Sequence, residues 1–588
     1  MNGRHFGTRL TVDGATFRLW APAAKRVDLL LEKPYPLRRG DDGWFSGEVS
    51  GVKAGALYKL RIDDEIDVPD PASAFQPEDV SGPSEVIDHA AYGWRASDWR
   101  GRPWPEAVVL ESHVGTFTPD GTYRAMIGKL DHLVATGITA LELMPLADFA
   151  GSRNWGYDGV LWYAPDSAYG RPDDLKTLID EAHLRGLMVL LDVVYNHFGP
   201  EGNYLGRYAP GFFTDAQTPW GSAIDYRVPE VRAFAIENAL YWLREYRFDG
   251  LRLDAVHAIP EQGEISMLHD LSIAVGKLAA ETGRHIHLML ENDDNSASAL
   301  DAVQDPPRGK YRAQWNDDYH HAWHVLLTSE AHGYYRDYQR SPLEDIARAL
   351  GSGFVYQGEA SAHRGGRRRG EPSGSLAPTA FVNFLQNHDQ IGNRALGDRL
   401  ESQASAAAIE AGLAITLLAP MIPMLFMGEE WGSKAPFPFF CDFRGDLAEA
   451  VRNGRRKEFA GAYATYGDEI PDPLAPSTFR SAVLDWDSRN QPPGRRRLAL
   501  VRDLLMIRHR EIVPRLAGAT FGEARAADNG LLTANWRMGD GATLRLLANL
   551  SANEIIHQQG ETIGGTVWGG KASELIAPWS VFWHLEAP

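Results

Sequence analysis

The 588-residue chain carries 59 Lys and Arg against 78 Asp and Glu, a formal charge of −19, with 44% hydrophobic and 23% charged residues. This is the composition of a globular protein too long for one core, and its negative balance argues against a nucleic-acid or anionic-membrane surface and for a neutral or cationic small-molecule partner. A single cysteine, Cys441, rules out an intramolecular disulfide and a cysteine-rich zinc site.

The N-terminal MNGRHFGTRL has no apolar stretch of the signal-peptide kind, which together with the cysteine count points to the cytoplasm. Residues 6–62 alternate in short runs, ATFRLWAP, RVDLLLEK, WFSGEVSG and LYKLRID, divided by turn signals such as Asp13-Gly14 and Asp42-Gly43. That pattern predicts a small antiparallel β-sandwich. The Pro-, Ser-, Gly- and Trp-rich residues 67–105 read as a linker lying on the next domain.

From residue 107 apolar runs alternate with amphipathic helical stretches. The runs are AVVLESHVG, ALELMP, MVLLDVVYNH, GLRLDAVH, HLMLEND, FVNFLQNHD and MIPMLFMGEE, with a weaker one at YRAQWND. Eight such units predict a (β/α)8 TIM barrel with insertions, whose site forms at the C-terminal ends of its strands. AGLAITLLAPMIPMLFMG (411–428) has the length and polarity of a membrane span, but Pro420 and Pro423 break it into a buried helix, a turn and a buried strand.

The barrel is expected to close with a helix over 496–513, and GLLTANWRM, TLRLLANLS and SVFWHLE, with Asn529-Gly530 and Asp540-Gly541 turns, predict a C-terminal antiparallel β domain. The expected division is 1–95 for the sandwich and linker, 96–513 for the barrel and 514–588 for the last domain. HRGGRRRGEPSGS (363–375) reads as a basic, flexible surface loop.

Four barrel strands end in polar residues that a barrel brings to one mouth: Asn196-His197, Arg252 with Asp254, Glu291, and His388-Asp389. An Asp in LRLDAV taken alone is more often a buried ion-pair partner than a nucleophile; agreement among four strand ends reverses that reading. Retaining glycoside cleavage needs an ionised carboxylate about 5–5.5 Å from a protonated one. Asp254 suits the nucleophile, because Arg252 two residues earlier on the same strand face favours its ionised form. Glu291 suits the acid/base, raised by neighbouring carboxylates.

Asp389 is placed to hold sugar hydroxyls, His197 and His388 to donate to them, and Trp155 and Tyr157 in RNWGYDG to offer a stacking face. Asp192 is expected to brace Arg252, and His257 to lie in the core or behind the site. His320 and His324 have the i, i+4 spacing of zinc ligands, but no Glu follows His320 and no third ligand is in view, so a packing or loop role is expected. ENDDNSASALD lacks the glycine and terminal glutamate of a calcium loop. No metal and no cofactor is predicted.

DVVYNH, GLRLDAVH, LEND and FLQNHD resemble the four motif regions of the α-amylase superfamily. The resemblance implies Asp254 as nucleophile, Glu291 as acid/base and Asp389 as transition-state stabiliser, with Arg252, His197, His388 and Tyr157 at the −1 subsite, and a sandwich like those of branching and debranching enzymes. Longer strings, among them ESHVGTFTPDGTY, LELMPLADFAGSRNWGYDGV and AQWNDDYHHAWHVLLT, are similar to the maltooligosyltrehalose trehalohydrolase family within it, with Ser112 a departure from the residue usual there. That similarity implies a maltooligosyltrehalose substrate, release of trehalose, and action after a separate enzyme that forms the substrate. The residues alone leave open whether water or a sugar hydroxyl accepts the glycosyl group, so a branching transferase stays an alternative, as does a glycan-binding protein that keeps the barrel.

Overall fold

The structure is a computed structural model describing residues 5–218, 221–259, 266–303, 309–460, 469–557 and 564–588. The N-terminal residues form two antiparallel sheets. One orders its strands Gly7–Leu10, Gly14–Trp20, Trp44–Ser50 and Arg38–Arg39; the other orders Pro34–Pro36, Val27–Leu30, Leu57–Ile62 and Ile66–Val68, with Ser84–Glu85 paired to Leu57–Ile62. The alternation that predicted them is a division of faces: Ala15, Phe17 and Leu19 are buried while Thr16 and Arg18 reach the surface. Aromatic edges dock this unit on the barrel, Phe6 on Phe234 at 5.1 Å and Trp20 against Phe212 at 5.7 Å.

Eight parallel strands close the barrel: β1 (Val109–Ser112), β2 (Ala140–Leu143), β3 (Met188–Val193), β4 (Gly250–Leu253), β5 (His287–Leu290), β6 (Ala313–Trp315), β7 (Phe381–Asn383) and β8 (Ile422–Phe426). Every residue of these strands is buried, which is why they read as continuous apolar runs. All eight predicted runs, the weak YRAQWND included, contain one. The interior is filled by Val109, Met188, Met289, Trp315 and Met424 among others, and Trp104 plugs the N-terminal end, its indole donating to the Thr379 carbonyl at 2.8 Å. The expected linker thus supplies the barrel floor.

Helices α1 (Pro172–Leu184), α2 (Pro229–Glu245), α3 (Met267–Thr282), α4 (Asp317–Thr328), α5 (Ala406–Leu418) and α6 (Pro492–Ile507) lie between or after the strands. Their ends follow capping chemistry: α1 and α2 begin with proline, and the Ser266 hydroxyl accepts from the His269 amide at 3.0 Å to start α3. The span-like segment 411–428 is α5, a turn and β8, and no helix among the described residues is long and apolar enough to cross a membrane. The closing helix departs from expectation by widening into a π turn over Arg508–Ile512. There the buried Arg508 guanidinium donates to the carbonyls of Leu417, Ala419 and Met421, satisfying the end of α5 and the entry to β8.

The C-terminal sheet has the antiparallel order Thr520–Ala526, Leu531–Arg537, Thr543–Asn549, Ser580–Glu586 and Gly565–Trp568. Trp536 and Trp583 stack at 5.6 Å and donate to the carbonyls of Leu350 and Ala414, pinning the sheet to the barrel. The strand Thr520–Ala526 was not expected, because an edge strand with mostly solvated residues carries no apolar alternation.

Candidate active site

The mouth of the barrel is organised around Arg252 on β4. Its side chain is 1% exposed, and it binds three carboxylates: Nη1 donates to Asp192 at 2.6 Å and Asp254 at 2.9 Å, and Nη2 to Glu291 at 2.6 Å. The guanidinium lies 4.1 Å from the centre of the Trp315 ring, which supports it from within the barrel. One planar cation therefore sets where the carboxylates of Asp254 and Glu291 stand relative to each other.

Asp254 is held further by the Asn196 amide, which donates to its carboxylate at 2.9 Å and its backbone carbonyl at 3.0 Å. Ala255, the next residue, has φ 39°, in the left-handed region that a residue with a Cβ adopts only at a cost. That turn aims the Ala255 amide at Glu291, 2.9 Å away. Burial raises the Glu291 pKa, Arg252 opposes it, and the charge on Asp254 adds to the rise, with the net shift upward. The expected cause, neighbouring carboxylates, comes second to burial.

Asp389 sits at the start of a short helical turn, His388–Gly392, whose Asn387 side chain accepts from the Asp389 amide at 3.0 Å. The Asn393 amide fixes its carboxylate at 2.6 Å, and burial raises its pKa. His388 is bound at Nδ1 by Glu111 of β1, which also accepts from the His388 amide at 3.0 Å. Burial works against an imidazolium there, but the Glu111 carboxylate outweighs it and the His388 pKa rises. Sequence reasoning missed Glu111, although AVVLESHVG carries the same signal as its neighbours, an acid at the end of an apolar run.

Tyr157 lies beside the cluster: its ring stacks on His388 at 4.9 Å, its hydroxyl donates to Asp192 at 2.6 Å, and it remains partly exposed. Asp192 braces Arg252 as expected. Trp155 requires a correction: it is 4% exposed, stacked on Phe437 at 5.3 Å with its edge on His388, so it backs His388 and does not offer a free ring face. His197 requires another, because its Nε2 lies 2.9 Å from the Tyr157 carbonyl and its Nδ1 against the Asn196 side chain. Both nitrogens serve the protein, and His197 positions Tyr157 and Asn196 in place of donating to sugar.

His257 is exposed at the mouth, contrary to the expected core or rear position, and accepts from the Asp293 amide at 3.3 Å. His320 and His324 pack within the protein, on the Leu385 carbonyl and Tyr335 hydroxyl and on Glu330 respectively. The basic segment 363–375 is largely exposed, as expected, but two of its arginines anchor it: Arg364 pairs with Asp293 and Asp294, and the buried Arg369 with Asp293 and Asp318. Asp293 and Asp294 come from ENDDNSASALD, and with Asp318 these pairs build one wall of the mouth beside Glu291.

A raised acid next to an arginine-held carboxylate carries a pH prediction. With Glu291 as the expected acid, activity on an α-1,4-glucan requires it protonated, so kcat/KM is expected to fall as pH rises through a pKa above the usual carboxylate range. An α-maltosyl fluoride, whose leaving group needs no proton, should lose that alkaline limb. A limb identical on both substrates would assign it to another group.

A closed parallel barrel whose strand ends bring an arginine-held acid pair and a third carboxylate to one mouth defines a glycoside hydrolase of the α-amylase class. Profiles of known domains agree: the catalytic domain of alpha amylase matches residues 95–216, carbohydrate-binding module 48 (isoamylase N-terminal domain) residues 5–74, and a domain of unknown function (DUF3459) residues 519–583. The chain is 42% identical over 502 residues to a malto-oligosyltrehalose trehalohydrolase of Deinococcus radiodurans, covering 85% of this chain and 82% of that protein. It is 40% identical over 491 residues to the protein of that name from Saccharolobus solfataricus, covering 82% and 83%. The crystal structure of an α-amylase-type protein from Salmonella typhimurium superposes with a TM-score of 0.93 at 44% identity, covering 99% of this chain and all of that one. The chain belongs to the malto-oligosyltrehalose trehalohydrolase family.

Proposed function

We propose that this chain is a retaining hydrolase that cuts the α-1,4-glucosidic bond next to the terminal trehalose of maltooligosyltrehalose, releasing trehalose and a shortened maltooligosaccharide. The observation that carries the chemistry is the bridging of Asp254 and Glu291 by one buried guanidinium; similarity over more than four fifths of the chain to relatives named for this reaction carries the substrate.

Glu291 gives its proton to the glycosidic oxygen as the C1–O bond breaks, and a carboxylate oxygen of Asp254 bonds to C1 from the opposite face. Trehalose then leaves with the proton. Water, losing a proton to the Glu291 carboxylate, attacks C1, frees Asp254 and restores the acid. Asp389, Tyr157 and the Nε2 of His388 surround the −1 sugar, and Arg252 holds the pair at working distance. Trp155 and His197 belong to the same subsite as supports.

In this reading residues 1–95, 96–513 and 514–588 are the sandwich with its linker, the catalytic unit and the terminal β domain. The enzyme works in the cytoplasm on substrate made by a separate maltooligosyltrehalose-forming enzyme. Product analysis with maltotriosyltrehalose against maltopentaose tests the proposal. Trehalose and maltotriose from the first, with much slower cleavage of the second, is the expected result; rapid cleavage of maltopentaose would reduce the reading to a general α-glucan hydrolase. An altered iodine stain of amylose without new reducing ends would favour branching.

A further inference from the structure

NDDY places two acids side by side at the start of α4, and the fold gives them opposite circumstances. Asp318 is fully buried and saturated: it pairs with Arg369 at 2.8 Å and accepts from the Asn295 side chain at 2.9 Å, the amides of Val355 and Tyr356 at 2.7 and 2.8 Å, and the Tyr338 hydroxyl. It locks the wall of the mouth. Asp317 is half-buried and, among the described residues, its carboxylate has no hydrogen bond and no ion pair.

The place of Asp317 follows from strand order. It lies just beyond β6, whose neighbours are β5, leading to Glu291, and β7, leading to His388 and Asp389. Burial and the charges of Glu291, Asp293 and Asp389 push its pKa well above the ordinary value, which sets it among those acids. The −1 sugar is bounded by Tyr157, Asp254 and His388, and the leaving oxygen lies at Glu291. Going round the barrel from β4 past Glu291, the next strand end is that of β6, which puts Asp317 on the side of Glu291 away from Asp254.

Burial without a protein donor holds Asp317 toward its protonated form, and its carboxylate is recovered only where a ligand supplies the donors. Sugar hydroxyls do so, and the two oxygens of a carboxylate match a vicinal pair of them. An α,α-1,1 linkage sets the second glucose of trehalose at a different angle from the α-1,4 linkage of maltose, so the diol presented at a fixed point differs between the two leaving groups.

We propose that Asp317 is a specificity-determining residue on the leaving-group side, its carboxylate accepting hydrogen bonds from a vicinal hydroxyl pair of the departing trehalose unit. This rests on the trehalose-releasing reading above. The test compares wild type with Asp317→Asn and the smaller Asp317→Ser on maltotriosyltrehalose and maltopentaose, with inhibition by free trehalose as a second readout.

Loss of these hydrogen bonds is expected to lower kcat/KM on maltotriosyltrehalose by about tenfold or more. The loss on maltopentaose should be smaller, so that the preference for the trehalose-ended substrate drops by about tenfold or more, and free trehalose should inhibit more weakly. Equal losses on both substrates, or an unchanged trehalose inhibition constant, would overturn the proposal, since a residue that only tunes Glu291 treats both leaving groups alike. Failure of both variants to fold would make Asp317 structural and overturn it too. The wild-type control separates the two readings: if wild type shows no preference for the trehalose-ended substrate, the proposed function fails; if it does and the variants keep that preference, only the role of Asp317 fails.

Discussion

Asp254→Ala is expected to lower kcat on maltotriosyltrehalose by roughly 10⁴-fold or more, with the protein still folded. The fold should survive because Arg252 keeps two carboxylate partners, Asp192 and Glu291, when Asp254 is gone. The space left by the carboxylate admits a small anion, so azide should restore turnover. With Glu291 still protonating the leaving oxygen, azide attacks C1 from the face Asp254 occupied and gives a β-glycosyl azide. Glu291→Ala makes the opposite prediction on an α-maltosyl fluoride, whose leaving group needs no proton: Asp254 still forms the covalent intermediate, and azide displaces it to give the α-product. The anomeric configuration of the two azides assigns nucleophile and acid independently of rate. If Asp254→Ala kept turnover within tenfold of wild type, or if the two variants gave azides of the same configuration, the assigned roles would be wrong.

Arg252→Met is the second large effect, because it removes charge from the centre of the site. It leaves the buried Asp192 and the partly buried Asp254 and Glu291 without their shared cation. Breaking a buried ion pair by removing one partner costs about 3–5 kcal/mol, so a fall of that size in unfolding free energy is expected, read from the denaturant midpoint at unchanged slope. Activity should collapse as well, since nothing then holds the two carboxylates in register. Arg252→Lys should recover part of the stability and little of the activity: a single ammonium cannot reproduce the bridge in which Nη1 serves Asp192 and Asp254 while Nη2 serves Glu291. Adding Asp192→Asn to Arg252→Met should return stability without activity, because it relieves the repulsion but not the misplacement. Wild-type stability in Arg252→Met would mean that the cluster is not held together by this cation.

Much of this protein was settled by the sequence alone, and the reasons are local. Strands buried on both faces must be apolar throughout, so eight continuous runs announced a barrel, and polar residues at their C-terminal ends announced its mouth. Asp254, Glu291 and Asp389 stood out because four strand ends agreed in closing apolar runs with polar residues, where one such acid alone is more often an ion-pair partner. The sandwich was legible from alternation, and the membrane-like stretch was resolved by two prolines whose backbone effect needs no tertiary context.

What only the tertiary structure decided concerns partners far apart in the chain. Trp155 and His197 belong to the right motifs, but Phe437 covers the ring face of one and the Tyr157 carbonyl holds a nitrogen of the other. The anchoring of the basic segment 363–375 was not legible because the partners of Arg364 and Arg369, namely Asp293, Asp294 and Asp318, lie 51 or more residues earlier. Glu111 meets His388 across 277 residues, through closure of β8 onto β1. Asp317 and Asp318 are the sharpest case. Identical side chains in adjacent positions are chemically indistinguishable in sequence, and only packing, which surrounds one with donors and leaves the other without, separates a structural acid from one open to a ligand.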